Sequence, residues 1–325
     1  SYGQGRINPA YFYGVFDPND MRRDVSITMT GSNGKGVEKL IPFVPNSKAE
    51  GGGLTLNKWD ENRQANPWVA AQRKSGINGP YMRMSEVYLG YAEVCAALGD
   101  VVTGKQYLKT VRERSFPQGL ANTDAFIASF GNDLVRAIIE ERGFEYAGEG
   151  DRRWTLIRSG YLPEDIKRIK DMTKAMMDGL ATKGYYEFEN GNIISAYIWT
   201  KLVDAKTIYG HRLTAQCPTD KVNDPVLYPG WRGQKDNWEE MGLNYGSSTP
   251  ATNLAIKGLF EIVSEEEAAS LESQGYTKVN WGIDLVDNRD EYDKYLFWDY
   301  DYVSAPIYLW PFTPNVMAAG GFTNG

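Results

Sequence analysis

Arg83-Met84-Ser85-Glu86-Val87-Tyr88-Leu89-Gly90-Tyr91-Ala92-Glu93 is the stretch in which the chain first commits to a helix. Met84, Val87, Tyr88, Tyr91, Cys95 and Leu98 recur at the three-and-four spacing that gathers apolar side chains on one helical face, with Ala92, Ala96 and Ala97 as small contacts. Gly99-Asp100 ends this run. A second helix is predicted from Gly104 to Arg114, burying Tyr107, Leu108 and Val111 and turning Lys105, Lys109, Arg112 and Glu113 to solvent. The two read as a helical hairpin. One hairpin cannot bury its own apolar face, so it must stack on further helices.

Downstream, Thr123 is predicted to cap a long helix with the stripe Phe126, Phe130, Leu134 and Ile138, continuing toward Ala147. Another starts near Pro163, a good first helical position, and carries Ile166, Ile169, Met172, Met176, Met177 and Leu180. Helical spacing makes those methionines core rather than a partner groove. Ser264 with Glu267 forms a capping box for a short helix that Gly275 ends. Upstream, residues 1–80 are broken by Pro18-Asn19-Asp20, Gly31-Ser32-Asn33-Gly34 and Gly51-Gly52-Gly53, which predicts loops and short strands. After Gly184 the helical signal gives way to segments rich in Tyr, Trp, Gly and Asn. The fold class is therefore mostly α: a helical scaffold over 81–182, a loop-rich segment over 1–80, and aromatic-rich loops with short helices over 183–325.

Composition narrows the function. Lys and Arg number 35 against 42 Asp and Glu, a net charge of -7, which opposes the phosphate neutralisation that dominates nucleic-acid binding. No run approaches the ~18 consecutive apolar residues of a membrane helix. Cys95 lies within the helical stripe and reads as a buried thiol rather than half of a disulfide with Cys217. The start at Ser1 carries no charged stretch followed by an apolar core, so any anchor is expected upstream of this text.

Catalytic and metal chemistry find little footing. His211 is the only histidine, and two distant cysteines cannot complete a structural zinc site. A Gly-x-Ser-x-Gly elbow is missing, so His211 reads as solvated or satisfied. Gly31-Ser32-Asn33-Gly34-Lys35-Gly36 lacks the spacing of a phosphate loop and reads as a turn. Asp287, Asp290, Asp293, Asp299 and Asp301 lack the central Gly and terminal Glu of a calcium loop and read as surface charge. Glu140, Glu141, Glu145 and Glu149 invite a glycosidase reading, since that chemistry needs two carboxylates. However, Glu141, Glu145 and Glu149 fall four apart, where like charges repel unless cations intervene, and Arg142, Arg152 and Arg153 are at hand. A structural ion network is expected, with Arg83 and Glu86 joining it. No catalytic residue, metal or cofactor is assigned.

Three ordered stretches resemble one family, the SusD/RagB nutrient-binding lipoproteins of the Gram-negative outer membrane. They are Arg83 to Glu93, Tyr107-Leu108-Lys109-Thr110-Val111-Arg112-Glu113-Arg114, and Glu141 to Gly150 continuing through Arg153-Trp154-Thr155-Leu156-Ile157-Arg158-Ser159-Gly160. Lys58-Trp59 and Ile307-Tyr308-Leu309-Trp310-Pro311-Phe312 are similar to two further family stretches. Gly104 stands where the family usually has Ala, Lys109 replaces a common Asn, and the ending Gly320 to Gly325 departs from the usual one. The resemblance implies a scaffold of tetratricopeptide-like helix pairs with loop-rich, short-strand insertions. It makes residues 1–325 a carboxy-terminal part of a SusD-like domain, on the surface of the outer membrane through a lipid anchor outside this chain. The implied partners are a glycan and a SusC-like TonB-dependent transporter.

A sugar presents apolar C–H faces and a hydroxyl rim, so its site needs flat rings for stacking and planar polar groups for the rim. Trp68 with Asn62, Arg63 and Asn66 lies where glycan-binding relatives often place aromatic residues. Trp231 and Trp238, with Arg232, Asp236, Asn237 and Tyr245, form a second cluster. Trp59, Trp154 and Trp310 belong to the family stretches and read as structural. The expected function is non-catalytic capture of an oligo- or polysaccharide and its delivery to the transporter. The competing readings are a carbohydrate-active enzyme with a carboxylate pair and a structural surface subunit; a hydrolase must release product, and a surface subunit must assemble without sugar.

Overall fold

A computed structural model describes residues 6–32, 38–41, 43, 53–56, 58, 79–117, 119–204 and 252–289. These residues are mostly helical, with a few short strands. The predicted hairpin is present as α1 (Met84–Ala97) and α2 (Val101–Glu113). Gly99 takes φ +86, and the Asp100 carboxylate accepts from the Thr103 N–H at 3.1 Å, so α2 begins three residues before the predicted start.

The hairpin buries a different face of α1 from the one expected. Ser85, Leu89, Ala92 and Cys95 are buried, whereas Met84, Val87, Tyr91 and Leu98 are exposed. The small residues decide this: a Cβ on Gly104 would lie 3.0 Å from the Ala92 carbonyl oxygen and 3.3 Å from the Ala96 nitrogen. The helices approach most closely where side chains are smallest, which leaves the bulkier apolar stripe outside. On α2, Leu108 and Val111 are buried as predicted, but Tyr107 is half-buried and Arg112, read as solvated, is 3% exposed.

The long helix predicted from Thr123 to Ala147 is two helices, α3 (Thr123–Ala128) and α4 (Leu134–Glu145). Gly131 and Asn132 both take φ 65, a left-handed conformation that breaks the run. Asn122, rather than Thr123, caps α3 by accepting from Ala125 N–H at 3.0 Å, and Asp133 caps α4 by accepting from Arg136 N–H at 3.0 Å. Leu89 and Ala92 of α1 join Leu108 and Val111 of α2 with Ala137 and Ile138 of α4 in one apolar cluster.

α5 (Asp151–Ser159) ends at Gly160, φ 78, and α6 (Leu162–Lys183) ends at Gly184, φ 77. Met176, Met177 and Leu180 are fully buried, as core packing requires, with Met172 packed beside them. Residues before 80 contain helices where loops and short strands were expected. α7 (Pro9–Gly14) is capped by Asn8 ahead of Pro9, and α8 (Met21–Ser26) by Asp20. Phe12, Tyr13 and Phe16 sit in a second cluster with Met176, Leu180, Ile194, Ile256 and Trp281. The Trp281 Nε1–H donates to the Tyr13 hydroxyl at 2.9 Å, tying residues far apart in the chain.

The strands are short and antiparallel. β1 (Arg6–Ile7) and β2 (Ile27–Thr28) flank β3 (Leu54–Leu56); β4 (Thr30–Ser32) pairs with β5 (Glu38–Leu40), and β6 (Tyr185–Glu187) with β7 (Ile193–Ser195). β8 (Tyr197–Asp204) lies between β9 (Thr252–Lys257) and β10 (Thr277–Asn280), with Trp199 opposite both Lys257 and Lys278. Ser264 caps α9 (Glu265–Ser273) through the Glu267 N–H, and Gly275 follows with φ 88, as the capping box predicted. α10 (Gly282–Asp287) closes the described part.

Candidate functional site

The charged residues around α4 are the densest concentration of chemistry among the described residues. From Ala137 to Glu145 every residue of α4 is buried, three glutamates included. Glu141 is fully buried and takes Arg22 at 2.6 Å on one oxygen and Arg112 at 2.9 Å on the other. Arg22 also holds the capping carboxylate of Asp20 at 2.6 Å. Glu145 accepts from Arg83 at 2.6 Å and Arg22 at 3.2 Å and is paired with Arg114. Glu149, in the turn after α4, accepts from Arg83 at 2.7 Å and pairs with Lys58.

Two further groups adjoin. Glu140 takes Arg136 at 3.0 Å and Arg152 at 2.9 Å, and Asp165 takes Arg152 at 2.9 Å and Arg168 at 2.6 Å. Arg142 spans Glu86 and Asp151, both at 2.7 Å. The expected ion network is thus present, and Arg83 and Glu86 are in it. Its wiring differs from the expectation: Arg152 reaches Glu140, while Arg142 turns to Glu86 and Asp151. The cations on Glu141 and Glu145 come instead from α8, α2 and the start of α1. Arg112 could have been anticipated from its place four residues after the buried Leu108; nothing local in the sequence marks Arg22.

Electrostatics fit a closed network. Burial works against the Glu145 charge, but Arg22, Arg114 and Arg83 together hold its carboxyl below the ordinary value. Asp165 behaves likewise, its burial outweighed by Arg152 and Arg168. Burial lowers the Lys58 ammonium despite Glu149 beside it, and pushes the Tyr146 hydroxyl, which also bonds Ser85, up to about 12. Carboxylates this enclosed and this saturated with guanidinium groups have no face left for a glycosidic bond. Glycoside hydrolysis requires a carboxylic acid and a carboxylate on either side of the bond, so this cluster is architecture.

Next to it, a cavity of about 290 Å³ lies between the start of α1 and the end of α2, lined by Met84, Tyr88, Val111 and the stems of Arg83 and Arg114. It is just below the ~300 Å³ at which small-molecule pockets begin, and both guanidinium groups are already turned to Glu145.

The residues expected to bind ligand, Trp68, Arg63, Asn66, Trp231, Trp238, Asn237 and Tyr245, lie outside the described residues, as do Trp59, Trp310, His211 and Cys217. So do Asp290, Asp293, Asp299 and Asp301, whereas Asp287 is the last residue of α10. Among the described residues no group of three or more His, Cys, Asp or Glu side chains is arranged to hold a metal ion. Cys95 is buried as a free thiol. Trp154, read as structural, is 53% exposed on α5, on the same side as Arg158, whose guanidinium grips Glu93 of α1.

Comparisons with known proteins agree with the resemblance carried by the three helical stretches. The SusD family model matches residues 4–311. The SusD-like protein P25 of Formosa agariphila is 28% identical over 160 residues, which is 49% of this chain and 26% of that relative, so the aligned stretch spans about a quarter of the relative's length. No solved structure matches the chain. SusD family proteins have a TPR-like fold, are non-catalytic binding proteins for nutrients and glycans, are typically outer-membrane lipoproteins and pair with SusC. No described helix here is long and apolar enough to cross a membrane. With the family model matching residues 4–311 of its 325, this chain belongs to the SusD family.

Proposed function

We propose that the protein captures a glycan, an oligo- or polysaccharide, at the cell surface without chemical conversion and passes it to a SusC-like TonB-dependent transporter. The observation that carries this is the family match over residues 4–311. The carboxylates that would have served a hydrolase are committed to guanidinium partners, which supports binding over catalysis. In this reading the helices of 81–182 are the support and the aromatic-rich segments on either side in sequence hold the sugar. Trp68 would stack on a sugar ring with Arg63 and Asn66 on the hydroxyls; Trp231 and Trp238 would do the same with Asn237 and Tyr245. The protein would be held at the outer membrane by a lipid anchor.

A glycan array on the soluble protein, followed by calorimetry on the best hit with Trp68→Ala and Trp231→Ala variants, tests the reading. A saccharide bound by the parent and lost in one variant is the expected result and chooses the loop. Release of a shortened sugar on incubation would sink the non-catalytic reading, and an array without hits would sink the glycan.

A further inference from the structure

Twenty-four residues separate Lys58 from Arg83 in sequence, and a stretch of that length could reach roughly 80 Å when extended. Yet the Lys58 ammonium pairs with Glu149 Oε1, and the Arg83 guanidinium donates to the same oxygen at 2.7 Å and to Oε2 at 3.1 Å. Both side chains also donate to the Glu145 backbone carbonyl, Arg83 at 3.1 Å. The turn after α4 is thus a common anchor for both ends of the stretch. A contact of another kind seats the entering end on the same turn: Leu56, the last residue of β3, lies over Gly148, where a Cβ would fall 2.8 Å from Leu56 Cδ2. Gly148 takes φ 82, so glycine answers both the close approach and the left-handed backbone.

The two ends are held unequally. Besides Glu149, Arg83 has the Glu145 carboxylate at 2.6 Å, the Ser85 hydroxyl at 3.0 Å and the Tyr146 ring centre 4.8 Å from its guanidinium carbon, and α1 begins at the next residue. The entering end reaches the turn through the ammonium of Lys58 and the side chain of Leu56. The Glu149 and Lys58 side chains are 12% and 18% exposed, so water screens this pair less than an ion pair on the open surface. Between the two ends of the stretch lie Arg63, Asn66 and Trp68, the side chains read above as ligand contacts. We propose that Lys58, through Glu149, is a positioning residue for that glycan site: it fixes the start of the stretch beside its end. Tying both ends of a chain removes conformational freedom that the binding step must otherwise remove. The inference rests on the glycan reading and adds to it a residue that acts without touching the sugar.

Two readouts on the soluble protein test it, one of them free of ligand. Trypsin can cut after Arg63, Arg73 and Lys74, within the stretch, at a rate governed by how often it opens. Lys58→Met should raise cleavage at these sites by at least about tenfold while the helical dichroism stays that of the parent, and Lys58→Arg should keep the parent rate. On the best hit of the glycan array, calorimetry should find Lys58→Met roughly three- to tenfold weaker at unchanged stoichiometry, with Lys58→Arg near the parent. Glu149→Ala should weaken binding at least as much, and adding Lys58→Met to it should cost little further, because the two act through one contact. Equal tryptic rates in the parent and Lys58→Met overturn the proposal, as does a parent cut as fast as a free peptide of the same sequence. So does undiminished affinity in Lys58→Met, or a sugar lost on Trp231→Ala but kept on Trp68→Ala. A parent that binds no sugar sinks the glycan reading instead, and the tryptic rates then decide on their own whether Lys58 holds the stretch.

Discussion

Glu141 is the residue on which the buried network is most directly tested. It is fully enclosed, with a guanidinium on each oxygen, and Glu141→Gln keeps its shape while leaving Arg22 and Arg112 short of a counter-charge. Breaking a buried pair from one side costs about 3–5 kcal/mol, and urea unfolding should show a loss of that size. A loss below about 1 kcal/mol would mean that water reaches the pair and that the network is not what joins these helices. The same carboxylates set the response to acid. Glu145 and Asp165 have folded pKa values below their ordinary values of 4.5 and 3.8, so the unfolded chain binds more protons as pH falls. Their stabilisation is complete above those ordinary values and is lost below them, as pH drops through the folded values. Melting temperature should therefore be nearly flat from pH 7 to about 5 and fall steeply below about 4; an equally steep fall between pH 7 and 5 would contradict it. That an ion network exists was legible, because glutamates four apart on a helix need cations. Which cations was legible only in part: Arg112, 29 positions from Glu141, follows the buried Leu108 by four residues, whereas Arg22 lies 119 positions away, beyond any local pattern.

Among elements, the α1–α2 hairpin was legible as two helices, but its packed face was not. α1 carries apolar side chains around most of its circumference, so periodicity alone could not rank one face above the other; Gly104 against Ala92 and Ala96 did so. The substitution Gly104→Val tests that contact. Its Cβ would start 3.0 Å from the Ala92 carbonyl and 3.1 Å from the Leu134 side chain, and the branched methyls would need more room still. Overpacking of this kind costs about 1–3 kcal/mol, against which valine's better helix propensity than glycine returns only a few tenths. Chemical denaturation should record a net loss; a net gain would show that α2 can move outward freely and that close approach does not select the face. The break between α3 and α4 was missed for a related reason. The stripe Phe126, Phe130, Leu134 and Ile138 keeps helical spacing straight through Gly131-Asn132, and only the left-handed backbone there, with Asp133 as a fresh cap, interrupts it.

At the scale of the whole molecule the helical character and the family could be read directly, because the signature stretches are local in sequence. The dependence of the core on residues before 30 could not, since turn-rich text conceals two short helices whose value lies in distant contacts. Phe12, Tyr13 and Phe16 are fully buried against residues as remote as Trp281, and Arg22 supplies charge to both Glu141 and Glu145. Each large apolar side chain withdrawn from water contributes about 1.5–3 kcal/mol, and an entire domain is held by about 5–15 kcal/mol. Removing residues 1–26 therefore takes away three such side chains and leaves two buried carboxylates short of a partner, a combined loss comparable with the whole stability. The shortened chain should keep helical far-ultraviolet dichroism while losing its near-ultraviolet signal and its cooperative urea transition. The cluster of Leu89, Leu108 and Ile138 makes the contrary outcome concrete. If it holds the scaffold alone, the shortened chain will retain a sharp transition, and the amino-terminal helices will prove to be a covering laid over an independently folded helical unit rather than part of one core.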